Sequence, residues 1–385
     1  MLNFNFYNPT YIAFGEGKIA DLNNLVPIDA RVLVLYGGQS AKTHGTLDKV
    51  FSALGQRYVE SFGGIEANPS FETLMKAVAQ VKERQLDFLL AVGGGSVIDG
   101  TKFVAAAIYA QDDPWSILTS FGANVSQAMP YGAVLTLPAT GSEMNTGSVI
   151  TRTATQEKLF FRSEYVFPQF SVLDPTLSYT LPKRQLANGV VDAFTHIAEQ
   201  YLTYSVNAKV QDRFAESLLL NLIEIGPELL VNPSNYSLQA NFMWTATLAL
   251  NGLIGAGVPQ DWATHMIGHE ITALHGLDHA QTLAIVLPAM LNERREAKRE
   301  KLLQYAERVW NIRSGTDAER IDAAIQQTRD FFESLGVKTR LSDYQIDATA
   351  IPAILQHLES HGMVQLGEQA EVTIEVSRRV LLAAV

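Results

Sequence analysis

The 385-residue chain contains no cysteine, so disulfide bonds and thiolate chemistry are excluded. No apolar run reaches the length needed to span a membrane, and the opening MLNFNFYNPT has neither the basic nor the apolar region of a secretory signal. Basic residues are few, with 29 Lys and Arg against 40 Asp and Glu and a net charge of −11. This balance disfavours nucleic acid and anionic membrane as partners. We therefore expect a cytoplasmic protein that binds neither.

The densest basic stretch is NERREAKREK at 292–301. Its Lys and Arg residues alternate with glutamates at helical spacing, which is typical of a solvated helix face. We therefore interpret this stretch as exposed surface without a function of its own.

The length of the chain exceeds the size at which a single hydrophobic core stops growing, so two domains are expected. The first half alternates β-rich runs with amphipathic helical patterns, which predicts a doubly wound parallel sheet. Such sheets bind ligands beyond the carboxyl ends of their strands. The candidate strands, each followed by a loop rich in glycine or small residues, are 32–36, 58–62, 88–92 and 133–137.

Long helical patterns replace the strands from Pro182 onward. We therefore predict an α/β domain over residues 1–181 and an all-helical domain over residues 182–385. The helix candidates of the second domain are 185–203, 208–225, 237–255, 261–274, 280–291, 297–310, 317–335 and 367–383.

The loop Gly93-Gly94-Gly95-Ser96 lies between a predicted strand and a predicted helix. Glycine lets the backbone approach a phosphate, and a helix N-terminus offers free N–H groups. A structural alternative is a capping box, because Ser96 and Asp99 have the S-x-x-D spacing. Three successive glycines exceed what a cap needs, so we interpret the loop as a phosphate site.

A second loop, Gly37-Gly38-Gln39-Ser40, follows the strand at 32–36. NAD-selective sites usually place an acidic residue here to bind the ribose 2′-hydroxyl. This chain has no acid at these positions, and Lys42 and His44 are nearby, which would suit a 2′-phosphate. A plain strand-to-helix turn explains the spacing equally well.

One carboxylate and several imidazoles indicate a divalent metal site. Asp192 and His196 are four residues apart, so a helix places both on one face. His265 and His279 are 14 apart (279 − 265), which is again in phase with a helix if the segment between them is helical throughout. His269 is an alternative ligand, and spacing does not choose among them. The remaining candidates are Glu270 as a ligand or supporting acid, and His357 and His361 as ordinary histidines.

Several segments resemble a known family. The regions 171–199 and 262–282 contain S-V-L-D, D-A-F and W-A-T-H-M-I-G-H, and the first half contains TYIAFGEG, A-N-P-S and GGGSVIDG. On these residues the chain resembles the iron-containing (group III) alcohol dehydrogenases along essentially its full length. It is most similar to the NADPH-dependent aldehyde reductases of the butanol dehydrogenase branch, through YGGQS, LPATGSE, ANGVVDAF and GAGVPQDWATHMIGHE.

The resemblance implies a site for each cofactor. One divalent metal, Zn²⁺ or Fe²⁺, would be held by Asp192, His196, His265 and His279, and His269 would neighbour the nicotinamide and the substrate. NAD-preferring members carry an aspartate at the position of Gly37, so its absence here favours NADP(H). The residues implied for the dinucleotide are Gly37, Gly38, Ser40, Gly94, Gly95, Ser96, Thr136, Thr140 and Lys158, to which we add Asp99 of the glycine loop.

The implied activity is hydride transfer between NADP(H) and an aldehyde or primary alcohol in a homodimer, with His269, Asp192 and His265 as catalytic residues. An NAD-dependent polyol dehydrogenase would share the fold and the metal. A non-redox cyclase of the dehydroquinate synthase type would need a basic anion pocket, which the helical half does not offer. A binding or scaffold role would leave the glycine-rich loops and the metal quartet unexplained.

Overall fold

The structure is a computed structural model that describes all residues, 1–385. Six strands form one parallel sheet in the order β1-β8-β5-β4-β2-β3, and two antiparallel pairs, β6–β7 and β9–β10, lie outside it. The strands are β1 (Tyr11–Phe14), β2 (Arg31–Tyr36), β3 (Tyr58–Phe62), β4 (Phe88–Gly94), β5 (Tyr131–Leu137), β6 (Gly147–Arg152), β7 (Glu157–Arg162), β8 (Phe170–Leu173), β9 (Gln365–Leu366) and β10 (Val372–Thr373).

Fifteen α-helices accompany the strands. They are α1 (Leu22–Leu25), α2 (Ser40–Thr43), α3 (Thr46–Leu54), α4 (Phe71–Arg84), α5 (Gly95–Ala107), α6 (Ser116–Thr119), α7 (Lys183–Tyr201), α8 (Lys209–Val231), α9 (Tyr236–Ala249), α10 (Ala263–His275), α11 (His279–Glu293), α12 (Arg299–Arg308), α13 (Asp317–Ser334), α14 (Ile351–Ser360) and α15 (Ile374–Ala383). None of these helices is long and apolar enough to cross a membrane.

The parallel sheet is buried on both faces, because helices cover each side. Successive side chains of a strand point to opposite faces. Leu33 and Leu35 of β2 therefore join a core with residues of α4 and α5, whereas Val32 and Val34 join a core with residues of α3. The near-continuous apolar run of β2 reflects this double burial. The predicted α/β fold with a parallel sheet and a helical second half is confirmed.

The sequence patterns missed several elements. β1 and β8 complete one side of the sheet but were not among the predicted strands. In the helical half, α14 was not predicted. The predicted helix 367–383 begins only at Ile374, because Val372 and Thr373 pair with β9 and the Thr373 side chain accepts a hydrogen bond from the N–H of Val376 at 3.4 Å.

Contacts divide the chain into two compact units, and these units differ from the predicted division at 181/182 in two segments. The helical unit contains Met1–Phe6, Pro182–Asn232 and Leu248–Val385, and the α/β unit contains Tyr7–Leu181 and Pro233–Thr247. The Leu2 N–H donates to the carbonyl of Gly257 at 2.9 Å, which ties the first segment to the helical unit. Met243 of α9 is buried in a core of the α/β unit.

The interpretation of 292–301 as a solvated face is wrong for two of its lysines. Lys298 and Lys301 are only 1% and 5% exposed. Each forms an ion pair with a buried or nearly buried carboxylate, Lys298 with Asp261 and Lys301 with Asp212. A buried ammonium needs such partners to offset its loss of hydration, and the partners are distant in sequence.

Candidate functional site

Helix α7 carries Asp192 and His196 on one buried face. The two residues are 3% and 4% exposed, and His196 Nδ1 lies 3.8 Å from Asp192 Oδ1. The i, i+4 spacing predicted this shared face, because a helix turns once every 3.6 residues.

Two further histidines reach the same place from neighbouring helices. His265 lies in the first turn of α10, and His279 is the first residue of α11. One ligand atom each from Asp192, His265 and His279 lie within 4.8 Å of one another, and His279 Nε2 is 3.6 Å from Asp192 Oδ1. Three of the four predicted ligands therefore converge, one from each of three helices, and the fourth, His196, is not in this group of ligand atoms but lies with its ring against that of His265.

The imidazole rings pack closely under an aromatic side chain. The ring of His196 stacks on that of His265, with centroids 4.6 Å apart, and the His279 ring is 5.2 Å from the His265 ring. Trp262 lies at 5.3 Å from the His265 ring and 6.1 Å from the His196 ring. This indole reduces the solvent around the histidines.

Close helix packing brings the ligands together. A Cβ on Gly268 of α10 would lie 2.8 Å from Oγ1 of Thr282 on α11, so glycine permits this approach. The side chain of Asp278, just before α11, accepts a hydrogen bond from Asn188 at 2.7 Å and forms an ion pair with Arg184 at 3.0 Å, and both of these residues are on α7. These contacts place the start of α11 beside the ligand face of α7.

Glu199 orients the His265 ring through a contact at Nδ1. Its side chain contacts Nδ1 of His265 and accepts the backbone N–H of Thr264 at 2.7 Å. A hydrogen bond at Nδ1 leaves Nε2 of His265 available for a metal. Sequence reasoning did not assign this role to Glu199, although its position seven residues after Asp192 puts it on the same side of α7.

The donor set suits a divalent cation. Burial lowers the pKa of His196 to about 4, so its imidazole is neutral at physiological pH, which is the form that binds metals. One carboxylate and three imidazoles are ligands that zinc and iron(II) both accept. The residues present therefore fit the metal that the sequence predicts.

The other histidines occupy different positions. His269 is 4% exposed, with its ring 5.1 Å from that of His279, so it borders the cluster, whereas His275 is exposed. Glu270 is buried outside the cluster and interacts with His357 of α14 and with His361, which follows the last residue of that helix. His361 Nδ1 lies 2.8 Å and His357 Nδ1 lies 3.4 Å from its carboxylate oxygens. These contacts join α10 to α14.

The residues assigned to the dinucleotide follow three adjacent strands of the sheet. Gly37, Gly38 and Ser40 follow β2, the glycine loop joins β4 to α5, and Thr140 follows β5. Because β5, β4 and β2 are parallel neighbours, these loops share one edge of the sheet. Thr136 is within β5, beside Gly93 and Gly94, which pair with Leu135 and Leu137.

Gly95 allows the loops after β4 and β5 to touch. A Cβ on Gly95 would lie 2.4 Å from Oγ1 and 2.6 Å from Cγ2 of Thr140. The glycine is therefore required by loop packing as well as being suited to a phosphate.

We expect Gly95→Ala to lower the free energy of unfolding by about 1–3 kcal/mol, because overpacking forces the Thr140 loop to shift. Denaturant midpoints would measure the change. The double variant with Thr140→Ala removes both clashing atoms and should recover part of the loss. An alanine variant as stable as the parent protein would contradict this account of the loop.

The capping box proposed for Ser96 and Asp99 is wrong. Helix α5 begins at Gly95, with Gly94 as its cap residue and no side-chain capping bond. The Asp99 carboxylate instead accepts hydrogen bonds from the Ser142 hydroxyl and, at 2.9 Å, from the N–H of Val149. Asp99 thus binds the segment after β5 rather than the helix start.

Lys158, Lys42 and the fully buried Lys102 are cations near the predicted dinucleotide residues. Lys158 of β7 is 6% exposed and its ammonium donates to Oδ1 of Asn68 at 2.9 Å. Burial raises the pKa of Asp99, and the charge of Lys102 opposes that rise most strongly, with a smaller contribution from Lys158. Lys42 is exposed, with Nζ 5.2 Å from the centre of the Tyr36 ring at the end of β2.

Comparison with known proteins places these features in a family. Residues 9–175 match the family model described as iron-containing alcohol dehydrogenase, and residues 186–370 match the model of the C-terminal part of the Fe-containing alcohol dehydrogenase family.

Two relatives and one solved structure are similar over nearly the whole chain. The NADPH-dependent aldehyde reductase YqhD of Escherichia coli K12 is 63% identical over 386 aligned positions that cover both chains completely. A probable NADH-dependent butanol dehydrogenase of Bacillus subtilis strain 168 is 41% identical, covering 94% of this chain and 95% of the relative. The crystal structure of E. coli K-12 YqhD superposes with a TM-score of 0.99 at 62% identity, covering 100% of this chain and 99% of the other.

Proposed function

Since this chain belongs to the iron-containing alcohol dehydrogenase family, we propose that it transfers a hydride between NADP(H) and an aldehyde or primary alcohol. We propose that it acts chiefly as an aldehyde reductase of broad specificity. The observation that carries the proposal is the convergence of Asp192, His265 and His279, whose ligand atoms lie within 4.8 Å of one another. The 63% identity to an NADPH-dependent aldehyde reductase supports it.

Asp192, His196, His265 and His279 would hold one divalent cation, zinc or iron(II). A cation bound there would polarise the carbonyl oxygen of an aldehyde. Asp192 offsets part of the positive charge, and Glu199 keeps Nε2 of His265 directed toward the ligand cluster. His269, which borders the cluster, would move a proton to or from the substrate oxygen.

NADPH would supply the hydride. Its phosphates suit the glycine loop at the N-terminus of α5. No acidic residue occupies positions 37, 38 and 40, and the exposed Lys42 lies beside the end of β2. Both features support a preference for NADPH over NADH. The name of the 41% identical relative specifies NADH. The proposed preference for NADPH therefore depends on these residues and on the relative that is 63% identical.

The test is elemental analysis of the purified protein together with oxidation of NADPH and NADH in the presence of butanal. One zinc or iron per chain and faster turnover with NADPH are expected. Faster turnover with NADH and glycerol would replace the proposal with a polyol dehydrogenase. Metal binding without turnover of either cofactor would favour the non-redox cyclase. The cytoplasmic location stays a prediction from the sequence.

We further expect a homodimer in solution. β1 is an edge strand of the sheet, and near it Tyr7 and Tyr11 are 68% and 58% exposed. An edge strand with exposed aromatic residues is a template for pairing with a second copy. Light scattering should give twice the chain mass of 42.3 kDa. Tyr11→Lys should raise the dimer dissociation constant, whereas Ile28→Lys, at a position 77% exposed, should not. A monomeric parent protein would contradict the expectation.

A further inference from the structure

Lys298 is a buried cation without an assigned role. It is 1% exposed, and it immediately precedes α12. Its Nζ lies 2.9 Å from Oδ2 of Asp261 and 2.7 Å from Oε1 of Glu368, and it donates to the carbonyl of Leu202 at 2.7 Å. An ammonium has three donors, and its hydrogen bonds go to the Leu202 carbonyl and to both carboxylate oxygens of Glu368, while Asp261 forms an ion pair with it.

Asp261 connects this cation to the helix that carries two histidines. Its Oδ1 accepts the backbone N–H of Ala263, the first residue of α10, at 3.0 Å. Its own N–H donates to the carbonyl of Glu199 at 2.9 Å. The intervening Trp262 has a φ of 64°, a left-handed conformation that is unfavourable for a bulky residue and needs support from its surroundings.

The first turn of α10 also carries the predicted ligand His265. Thr264 donates its backbone N–H to Glu199, and His265 contacts the same carboxylate. A path of direct contacts therefore runs from Lys298 through Asp261 to the first turn of α10 and to His265. Removing the ammonium would leave the carboxylates of Asp261 and Glu368 close together and buried, which is strongly unfavourable.

We propose that Lys298 is a positioning residue of the metal centre, which through Asp261 holds the first turn of α10 in the orientation that presents His265 to Asp192 and His279. The inference rests on the proposed function, because it assumes that these residues bind a cation. Replacing residues that hold metal ligands in place typically weakens metal binding about 10- to 100-fold.

Lys301 provides a matched control. It lies in the same segment, is 5% exposed, and pairs with Asp212 of α8. Its Nζ is 4.8 Å from the centre of the Tyr201 ring. Lys301→Met thus removes an equally buried ammonium whose partners are not part of the first turn of α10.

The experiment compares Co²⁺ binding to metal-free parent protein, Lys298→Met and Lys301→Met. Affinity is measured by competition with a chelator, and ligand geometry by the visible absorption of bound Co²⁺. We expect Lys298→Met to bind Co²⁺ about 10- to 100-fold more weakly, with altered absorption bands. Lys301→Met should lose thermal stability but keep the affinity and spectrum of the parent protein.

Two results would overturn the inference: unchanged Co²⁺ affinity and spectrum in Lys298→Met, or an equal loss of affinity in Lys301→Met, which would indicate general destabilisation. If Lys298→Met does not fold, Glu368→Gln tests the same path, because it weakens the ion pair that holds the Lys298 ammonium. An unchanged Co²⁺ spectrum in Glu368→Gln would also overturn the inference. A parent protein that binds no Co²⁺ would instead refute the proposed function.

Discussion

Replacing His279 by alanine is expected to lower kcat/KM for aldehyde reduction by about 10³-fold, equivalent to about 4 kcal/mol. The Nε2 atom of His279 is 3.6 Å from Asp192 Oδ1 within the candidate ligand cluster. Its side chain is partly exposed and stands at the first position of α11, so alanine should disturb the fold little. The loss should appear together with reduced metal content in elemental analysis.

His275→Ala is the matched control for this variant. His275 is exposed, four residues earlier in the chain, and is not part of the candidate cluster. Its replacement should leave metal content and activity near those of the parent protein. Full activity of His279→Ala after removal of metal with a chelator would refute the metal-dependent mechanism.

Gly37→Asp is expected to lower kcat/KM for NADPH by about 100-fold, while kcat/KM for NADH stays constant or rises. A carboxylate at this position would repel the 2′-phosphate of NADPH, and close like charges cost several kcal/mol. The same carboxylate could accept hydrogen bonds from the ribose hydroxyl of NADH. Steady-state kinetics with both cofactors and butanal would give the two constants.

Gly37→Ala separates charge from size in this test. A Cβ at Gly37 would lie 3.3 Å from the carbonyl oxygen of Ile65 and 3.5 Å from Cγ2 of Val97, so any side chain requires a small local shift. Alanine should therefore change both cofactors alike and leave their ratio unchanged. If aspartate alters the ratio no more than alanine does, Gly37 is not next to the 2′-phosphate.

Some elements of the fold have a clear local sequence pattern, and others do not. The strand at 58–62 was predicted with its observed bounds, because a short β-rich run that ends at Gly63-Gly64 is a local signal. β1 is only four residues long and gave no such signal, although its pairing with β8 completes the sheet. The helix at 351–360 was missed although its buried residues repeat at helical spacing.

For the candidate site, spacing along one helix was informative and spacing between helices was not. Asp192 and His196 were placed on one face by the helical period alone. Choosing His265 over His269 as a candidate ligand rested on the family resemblance, since both lie on α10. In the tertiary structure a ligand atom of His265 lies with those of Asp192 and His279, and the ring of His269 stands edge-on to that of His265 at 6.4 Å.

The sequence alone determined the fold class, the glycine-rich loops at the strand ends and the residues able to bind a metal, because these depend on residue type and on periods of two or 3.6 residues. Only the tertiary structure decided that Glu199 supports His265, that Lys298 is buried, and that α9 packs in the α/β unit. These features depend on contacts between residues far apart in the chain. Side-chain burial and pairing are set by which helices pack together, and no local pattern encodes that.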